Sequence, residues 1–216
     1  MDTTIYYKDK LYPLQDKVLK IINALGTPFY LTGGTALSRC YFNHRYSDDL
    51  DFFVNKDANY QVCVAKIIDG LTNLGIAELR KFDTFSSFKV ADLLKVDLVN
   101  DIPSHIGGFN TFDIYSKVDN LQNILSNKIS ALVSRDEPKD VVDIWTIARS
   151  QKVDWKQIFV DVSSKAVGIF PPKIAERLET FPLELLDKVI WIEEKSPDKE
   201  LFKVDLQKII DIMLQP

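Results

Sequence analysis

The sequence predicts an α+β fold, in which a small mixed β-sheet is flanked by helices and followed by a helical region. Three observations predict it. A β-prone run ends at a Gly-Gly pair that opens a helical run, three short β-prone runs follow one another between Ile76 and Val99, and helical patterns fill the chain after Val118. Strands followed by a run of helices are typical of an α+β domain.

The first half of the chain carries the expected strands and the helices between them. Apolar residues at helical spacing predict helices at Leu14–Leu25, Thr35–Phe42 and Tyr60–Leu74. β-prone composition predicts strands at Phe29–Thr32, around Asp49–Asp51, and at Ile76–Phe82, Thr84–Val90 and Leu93–Val99. The break at Ala91-Asp92 indicates a hairpin between the last two strands.

The second half is expected to be helical. Its patterns predict a helix over Val118–Ser134, a second that begins at Pro138, and four more at residues 155–167, 171–178, 183–191 and 198–214. We therefore expect a catalytic core over residues 1–115 and a helical region over residues 116–216.

Composition limits the class of protein. The 216 residues carry a net charge of −4, with a pI near 5.3, which disfavours indiscriminate nucleic-acid binding but permits a local basic groove. Met1–Tyr7 has no signal-peptide pattern, and no apolar run approaches the ~20 residues of a membrane helix. Cys40 and Cys63 have no zinc-like spacing, so buried free thiols are expected. We expect a cytoplasmic protein with no membrane partner.

Two aspartates point to a metal ion. Asp49 and Asp51 stand two apart in an apolar run, so in a strand they project from the same side while Leu50 and Phe52 face the core. Aspartate is depleted in strands, and two on one face repel each other unless a cation lies between them. Mg²⁺ prefers such oxygen ligands and is usually bound together with substrate phosphates.

A glycine pair offers a place for those phosphates. Gly33-Gly34 lies at a strand-to-helix turn, where the missing Cβ atoms permit positive φ and close approach of a ligand. The unpaired N–H groups and the positive dipole end of the following helix favour an anion. We interpret Gly33, Gly34 and the Thr35 hydroxyl as the group that holds a polyphosphate, and Asp49 and Asp51 as the ligands of its metal ion.

The order of these motifs resembles a known family. Hydrophobic-Gly-Gly, a helix, and hydrophobic-Asp-x-Asp-hydrophobic are similar to the nucleotidyltransferase fold of the DNA polymerase beta superfamily. GGTAL followed by HRYSDDLDFF resembles the AbiEii/AbiGii toxin family of nucleotidyltransferases. The resemblance is strong over Leu31–Val54 and weaker over Lys128–Trp145.

The resemblance assigns further residues. Alternation predicts that Asp97 lies on the side of Asp49 and Asp51, although an exposed strand aspartate stays open as the alternative, and Asp101 and Asp83 are less well placed rivals. The superfamily pattern implies that Asp97 completes a site for two Mg²⁺ ions.

Ser47 matches the family and is expected to contact the triphosphate. Arg45 also matches it, and two interpretations stay open for its side chain, contact with a phosphate or pairing with the neighbouring aspartates.

The stretch KISALVSRDEPKDVVDIW resembles the later family motifs. It implies that Lys128 binds the nucleotide phosphates and that Asp143, with Asp140 behind it, completes the catalytic surface. Lys139 precedes Asp140 where the family usually has arginine, which leaves the role of Asp140 less defined than that of Asp143.

The function implied by the resemblance is Mg²⁺-dependent nucleotidyl transfer. A nucleoside monophosphate would pass from a nucleoside triphosphate to an acceptor hydroxyl such as a tRNA 3′ end, in the toxin half of a toxin–antitoxin or abortive-infection system with a cognate antitoxin. Two alternatives stay open, transfer to a protein or small molecule and a nucleotide-binding regulator that does not catalyse.

Overall fold

The structure is a computed structural model, and it describes residues 3–215. Met1, Asp2 and Pro216, at the outer ends of the two expected domains, lie outside the described residues. The described chain divides into two compact units. The first unit comprises residues 3–41 and 46–120, and the second comprises residues 42–45 and 121–215.

The first unit contains a seven-stranded mixed sheet. Its strands are β1 (Tyr30–Thr32), β2 (Leu50–Asn55), β3 (Ile76–Lys81), β4 (Phe85–Val90), β5 (Leu94–Asp101), β6 (Asn110–Phe112) and β7 (Tyr115–Val118). They are arranged in the order β3-β4-β5-β2-β1-β7-β6. The β1–β7 and β2–β5 pairs are parallel and the other pairs are antiparallel, so the mixed sheet predicted from the sequence is confirmed.

Four helices belong to the first unit: α1 (Thr3–Tyr6), α2 (Tyr12–Ala24), α3 (Gly33–Thr35) and α4 (Tyr60–Leu71). A π-helix over Tyr7–Leu11 joins α1 to α2, and a second over Ala36–Phe42 continues α3. The predicted α2 and α4 are confirmed, and they contact each other through apolar faces that include Val18, Ile22 and Ile67. Burial of each such side chain stabilises the folded state by about 1.5–3 kcal/mol.

The second unit is helical. It contains α5 (Leu121–Ser134), α6 (Pro138–Ser150), α7 (Trp155–Lys165), α8 (Pro171–Glu179) and α9 (Lys199–Met213), with short 3₁₀ turns at Leu183–Lys188 and Glu193–Lys195. Trp145 of α6 packs on Phe202 of α9, with ring centroids 4.9 Å apart. The helical second half is thus confirmed.

Three expectations about elements are corrected. The helix expected from Val118 begins at Leu121, because Val118 ends β7 and pairs with Leu31. The β6–β7 hairpin was not predicted, and β7 spans the expected domain boundary between residues 115 and 116. The helix expected over residues 183–191 is a 3₁₀ turn that ends at Lys188, because Trp191 forms an antiparallel bridge with Arg45.

The cysteine and membrane expectations have separate outcomes. Cys40 and Cys63 are free, as predicted, but both are half-buried instead of fully buried. No helix within residues 3–215 has the length and apolarity needed to cross a membrane.

Candidate active site

A row of polar side chains crosses the sheet of the first unit. Ser87 of β4, Asp97 of β5, Asp51 of β2 and Thr32 of β1 are successive partners in register. Partners in register project from the same face of a sheet. Leu50 and Phe52, which flank Asp51, are fully buried on the opposite face. The predicted alternation along β2 is therefore confirmed, and Asp51 and Asp97 are direct neighbours.

Asp49 is held by its backbone beside this row. It lies one residue before β2, so the alternation of the strand does not fix the direction of its side chain. Its carbonyl oxygen accepts a hydrogen bond from the buried hydroxyl of Thr35. Thr35 thus ties the start of the helical segment to Asp49.

The turn at Gly33 lies directly against Asp51. Gly33 has φ +72°, and a Cβ atom added there would overlap the carboxylate of Asp51. Thr32 before it is extended, and Gly34 after it lies in the first turn of α3. The structure therefore brings Gly33, Gly34 and Thr35 together with Asp49 and Asp51.

Lys95 places a cation beside the carboxylates. Its ammonium lies 2.6 Å from Asp97 Oδ2, while the Ser87 hydroxyl donates to Asp97 Oδ1 at 2.6 Å. Burial alone would lower the pKa of Lys95, but Asp97, Asp49 and Asp51 together raise the pKa above its ordinary value. All three carboxylates thus act electrostatically on one ammonium group. Sequence alternation places Lys95 on this face but gives no sign of the pairing.

The N-terminal helices hold the segment before Asp49. Gln15 Nε2 donates to the carbonyl oxygens of Ser47 and Asp48, at 3.0 Å each, and the Tyr7 hydroxyl donates to Asp48 Oδ1 at 2.6 Å. Ser47 is buried. These supports were not predicted from the sequence. The available signal was Gln15 itself, a polar residue on the apolar face of α2 that is fully buried.

A separate ion cluster lies in the second unit. Arg45 makes a two-pronged contact with Asp143, from Nε to Oδ1 at 2.8 Å and from the terminal nitrogen to Oδ2 at 2.7 Å. His44 Nε2 lies 3.0 Å from Asp143 Oδ1. The Lys128 ammonium lies 2.8 Å from Asp140 Oδ1 and 2.7 Å from Asp143 Oδ2.

The cluster favours ionised carboxylates. Burial alone would raise the pKa of Asp143, but Arg45 and Lys128 outweigh it and hold the pKa well below its ordinary range. The pKa of Asp140 is lowered in the same way, against the effect of burial, by Lys128 and Arg135. Arg45, Lys128 and Arg135 thus surround these two buried carboxylates.

The predicted site residues thus fall into two groups. The structure brings Lys128, Asp140, Asp143 and Arg45 together in the second unit. Ser47, Asp49, Asp51 and Asp97 belong to the first unit with the Gly33 turn. The aspartate that pairs with Arg45 is Asp143, 98 positions further along the chain, a partner that neither interpretation of Arg45 included.

The chain was compared with known proteins. A family model described as "Nucleotidyl transferase AbiEii toxin, Type IV TA system" matches residues 18–203. The chain belongs to the AbiEii family. As a member it is a nucleotidyltransferase of the toxin class, which implies a nucleoside triphosphate substrate and a cognate antitoxin. The family resemblance read from the sequence is thereby confirmed.

Similar proteins cover most of this AbiEii chain. An uncharacterised protein of Aquifex aeolicus (strain VF5) is 28% identical over 163 residues, which span 69% of this chain and 72% of that protein. The crystal structure of JHP933 from Helicobacter pylori superposes with a TM-score of 0.57 at 19% identity, covering 94% of this chain and 92% of that one. MenT4, a nucleotidyltransferase toxin from Mycobacterium tuberculosis H37Rv, gives a TM-score of 0.57 at 13% identity, covering 95% and 83%. These structures show that the AbiEii chain has a nucleotidyltransferase fold.

Nucleotidyltransferases of this family generally use divalent metal ions. Asp51 and Asp97 offer hard oxygen ligands from adjacent strands, and the effect of Asp49 on Lys95 adds a third negative charge, so the donor chemistry fits such an ion. Within residues 3–215, no three His, Cys, Asp or Glu side chains are grouped closely enough to hold a metal ion as they stand. The expected three-carboxylate group is therefore not preformed, since Lys95 and Ser87 occupy the Asp97 oxygens.

Proposed function

We propose that this AbiEii chain transfers a nucleoside monophosphate from a nucleoside triphosphate to an acceptor hydroxyl, with the 3′ end of a tRNA as the acceptor. The observation that carries the proposal is the row across the sheet, in which Asp51 and Asp97 are neighbours and the Gly33 turn lies against Asp51. This row supports a site in which the Gly33 turn binds phosphates next to a pair of carboxylates. The triphosphate substrate and the two free cysteines of the chain favour action of the protein in the cytoplasm, where a cognate antitoxin opposes it.

In this proposal the chain's own groups bind and orient the triphosphate. The backbone N–H groups of Gly33, Gly34 and Thr35 donate to phosphate oxygens at the start of the helical segment. Ser47 contacts the triphosphate from the segment that Gln15 holds. Such fixed donors stabilise developing negative charge without reorganisation.

Asp49, Asp51 and Asp97 would hold two Mg²⁺ ions once Lys95 leaves Asp97. When bound, these ions supply charge neutralisation at the phosphates and activation of the acceptor hydroxyl. We assign Lys128 and Arg45 to the phosphates as well, and Asp143, with Asp140, to the orientation of both cations. The Lys128 ammonium supports this assignment, because the two carboxylates use two of its three N–H donors.

The test is transfer of label from each nucleoside triphosphate in turn. Protein, Mg²⁺, total tRNA and cell extract are incubated together, and the products are separated into RNA, protein and small molecules. We expect label at RNA 3′ ends, and we expect Asp51→Asn to lower it by about 100-fold or more. Asp83→Asn is the matched control, because Asp83 is an exposed aspartate outside the strands of the same unit.

Three outcomes would count against the proposal in different ways. Label in protein, or in a small molecule, that depends on Asp51 would replace tRNA as the acceptor. Equal labelling by the Asp51→Asn and Asp83→Asn variants would show that the row across the sheet has no role in the reaction. Nucleotide binding without transfer to any fraction would favour the regulator that does not catalyse.

A further inference from the structure

The second unit contains a cavity that the proposed reaction does not use. It has a volume of about 300 Å³ and lies between residues 42–44, the C-terminal part of α6 and residues 191–195. Its lining includes His44, Trp145, Arg149, Trp191 and Lys195. We call it the Trp191 pocket. His44 also contacts Asp143 through Nε2, so one wall of the pocket is fixed by the ion cluster.

The lining of the Trp191 pocket combines aromatic rings with cations. The Arg149 guanidinium lies 4.6 Å from the ring centroid of Trp145, Lys195 is exposed, and Trp191 is half-buried. No carboxylate is among the described residues that line it. Although the chain as a whole is acidic, this wall is locally basic. A planar ring attached to an anionic group is the ligand chemistry that such a wall fits.

Two buried polar atoms of the lining residues lack partners. His44 Nδ1 and Trp145 Nε1 make no hydrogen bond within residues 3–215, although the two residues are only 6% and 7% exposed. Such atoms are costly unless a ligand or water pairs with them. Since His44 Nε2 faces a carboxylate, it donates there, and Nδ1 is the ring nitrogen left for a ligand. The indole N–H is a donor, so the pair complements a ribose hydroxyl, which both donates and accepts.

A second cavity of about 310 Å³ adjoins the first. The two share Trp145, Arg149 and Lys195, and the second extends to Pro197 and Leu201. Asp198 and Asp205 also line the second cavity, and Asp205 pairs with Arg149 at 3.1 Å. The first cavity has no carboxylate among its described lining residues, so a phosphate belongs on that side of the shared wall, where Arg149 and Lys195 are both present. Two spaces on either side of one cationic wall suit consecutive nucleotides of a strand better than one free nucleotide.

We propose that the Trp191 pocket binds one nucleotide of single-stranded RNA, with the base stacked on Trp191 and the phosphate held by Arg149 and Lys195. The inference rests on the proposed function in one respect, since it makes RNA the acceptor class. Base stacking on an aromatic ring accepts any base, so the pocket contributes affinity for the RNA strand and little sequence preference.

The test uses tryptophan fluorescence of the full chain carrying Asp51→Asn, so that RNA binds without turnover. A short single-stranded RNA is titrated in, and its DNA counterpart, ATP and an acidic peptide are titrated in parallel. We expect saturable quenching by RNA, with weaker binding of DNA because it lacks the 2′-hydroxyl. Trp191→Leu is expected to weaken RNA binding roughly tenfold. Lys195→Gln and Arg149→Gln are expected to weaken it and to reduce its salt dependence by about one phosphate contact each.

Matched controls are available in the same unit. Arg177→Gln removes a half-buried arginine that pairs with Asp136 at 3.0 Å, as Arg149 pairs with Asp205. Lys203→Gln removes an exposed lysine of α9. Both controls are expected to bind RNA like the parent. The two glutamine variants of the pocket alter exposed side chains, so they test the proposal even if Trp191→Leu does not fold.

The outcomes separate this inference from the proposed function. If Lys195→Gln and Arg149→Gln bind RNA as tightly as the parent, RNA binding at the Trp191 pocket is refuted, whether or not the enzyme transfers nucleotides. Tighter binding of ATP than of RNA would refute the assignment of the pocket to an RNA strand. Displacement of RNA by a tighter-binding acidic peptide would show that the pocket is a protein-binding site. RNA binding that requires the pocket, in a protein that transfers no label, would support the pocket and reject the reaction.

Discussion

Gly33 meets two separate requirements at the turn between β1 and α3. Its φ of +72° costs an L-residue about 1–2 kcal/mol, and a Cβ atom would overlap the Asp51 carboxylate. We expect Gly33→Ala to reduce nucleotidyl transfer by about 100-fold, because Asp51 must move from its place in the row. Urea unfolding and the labelling assay measure the two effects separately.

Gly75→Ala is the control for Gly33→Ala. Gly75 has a similar φ of +76°, but nothing lies within 4 Å of an added Cβ atom. The Gly75→Ala variant should therefore lose stability through backbone strain alone and keep its transfer activity. Equal activity of the two variants would show that the contact between Gly33 and Asp51 has no role in the reaction.

Lys95 occupies an oxygen of Asp97 that a metal ion would need. We expect Lys95→Met to bind Mn²⁺ about tenfold more tightly in calorimetry, because the ammonium that competes for Asp97 is gone. Thermal melting without metal should show a less stable protein. Lys89→Met is the control, since Lys89 is the exposed partner of Lys95 in register. Unchanged or weaker Mn²⁺ binding by Lys95→Met would refute competition at Asp97.

Sequence periodicity predicts neighbours but not their pairing. The alternation along β2 and β5 was enough to place Asp51 and Asp97 on one face. It gave no sign that Lys95 neutralises Asp97 or that Arg45 pairs with Asp143. The Arg45–Asp143 contact depends on tertiary packing between positions 98 residues apart, and the Lys95–Asp97 contact depends on the side-chain conformation of two residues on the same strand.

Buried ion pairs hold residues 42–45 against α5 and α6. Asp143 is fully buried and accepts contacts from His44, Arg45 and Lys128. Asp143→Asn leaves these groups with an uncompensated charge, so we expect a loss of about 3–5 kcal/mol in the free energy of unfolding at pH 7. Asp136→Asn is the control. It breaks an exposed pair with Arg177 and should cost less than about 1 kcal/mol.

The pH dependence of this loss follows from the direction of the pKa shift. The folded-state pKa of Asp143 lies below the unfolded value, so its stabilisation is fully present above about pH 5. It declines as the pH falls below about 4 towards the folded pKa. Urea unfolding at several pH values should show the difference between wild type and Asp143→Asn narrowing in acid. A difference that stays constant to pH 3 would contradict an ionised Asp143.

Elements with clear periodicity could be predicted, whereas the short β6–β7 hairpin could not. The helix α4 and the β4–β5 hairpin have clear periodicity, and Ala91 and Asp92 adopt the positive φ angles that a tight turn needs. The hairpin of β6 and β7 has strands of only three and four residues, too few to show a period. Their place in the sheet depends on pairing of Val118 with Leu31, which no local pattern reveals.

The chain enters the second unit twice, at residue 42 and again at residue 121. Between these points it returns to the first unit to form the strands that carry Asp51 and Asp97. Unfolding of the second unit would therefore release residues 42–45 from Asp143 and free both the end of the π-helix at Phe42 and the lead into β2. We expect the two units to unfold together for this reason of connectivity.

The chain provides one spectroscopic probe for each unit. All three tryptophans lie in the second unit and all eight tyrosines lie in the first. Tryptophan fluorescence and second-derivative tyrosine absorbance should therefore give the same urea midpoint if unfolding is cooperative. Asp143→Asn should move both midpoints to lower urea by the same amount, although the substitution lies in the second unit. A tyrosine transition that stays in place while the tryptophan transition moves would show that the first unit keeps its fold without the ion pair, and that residues 42–45 do not couple the two.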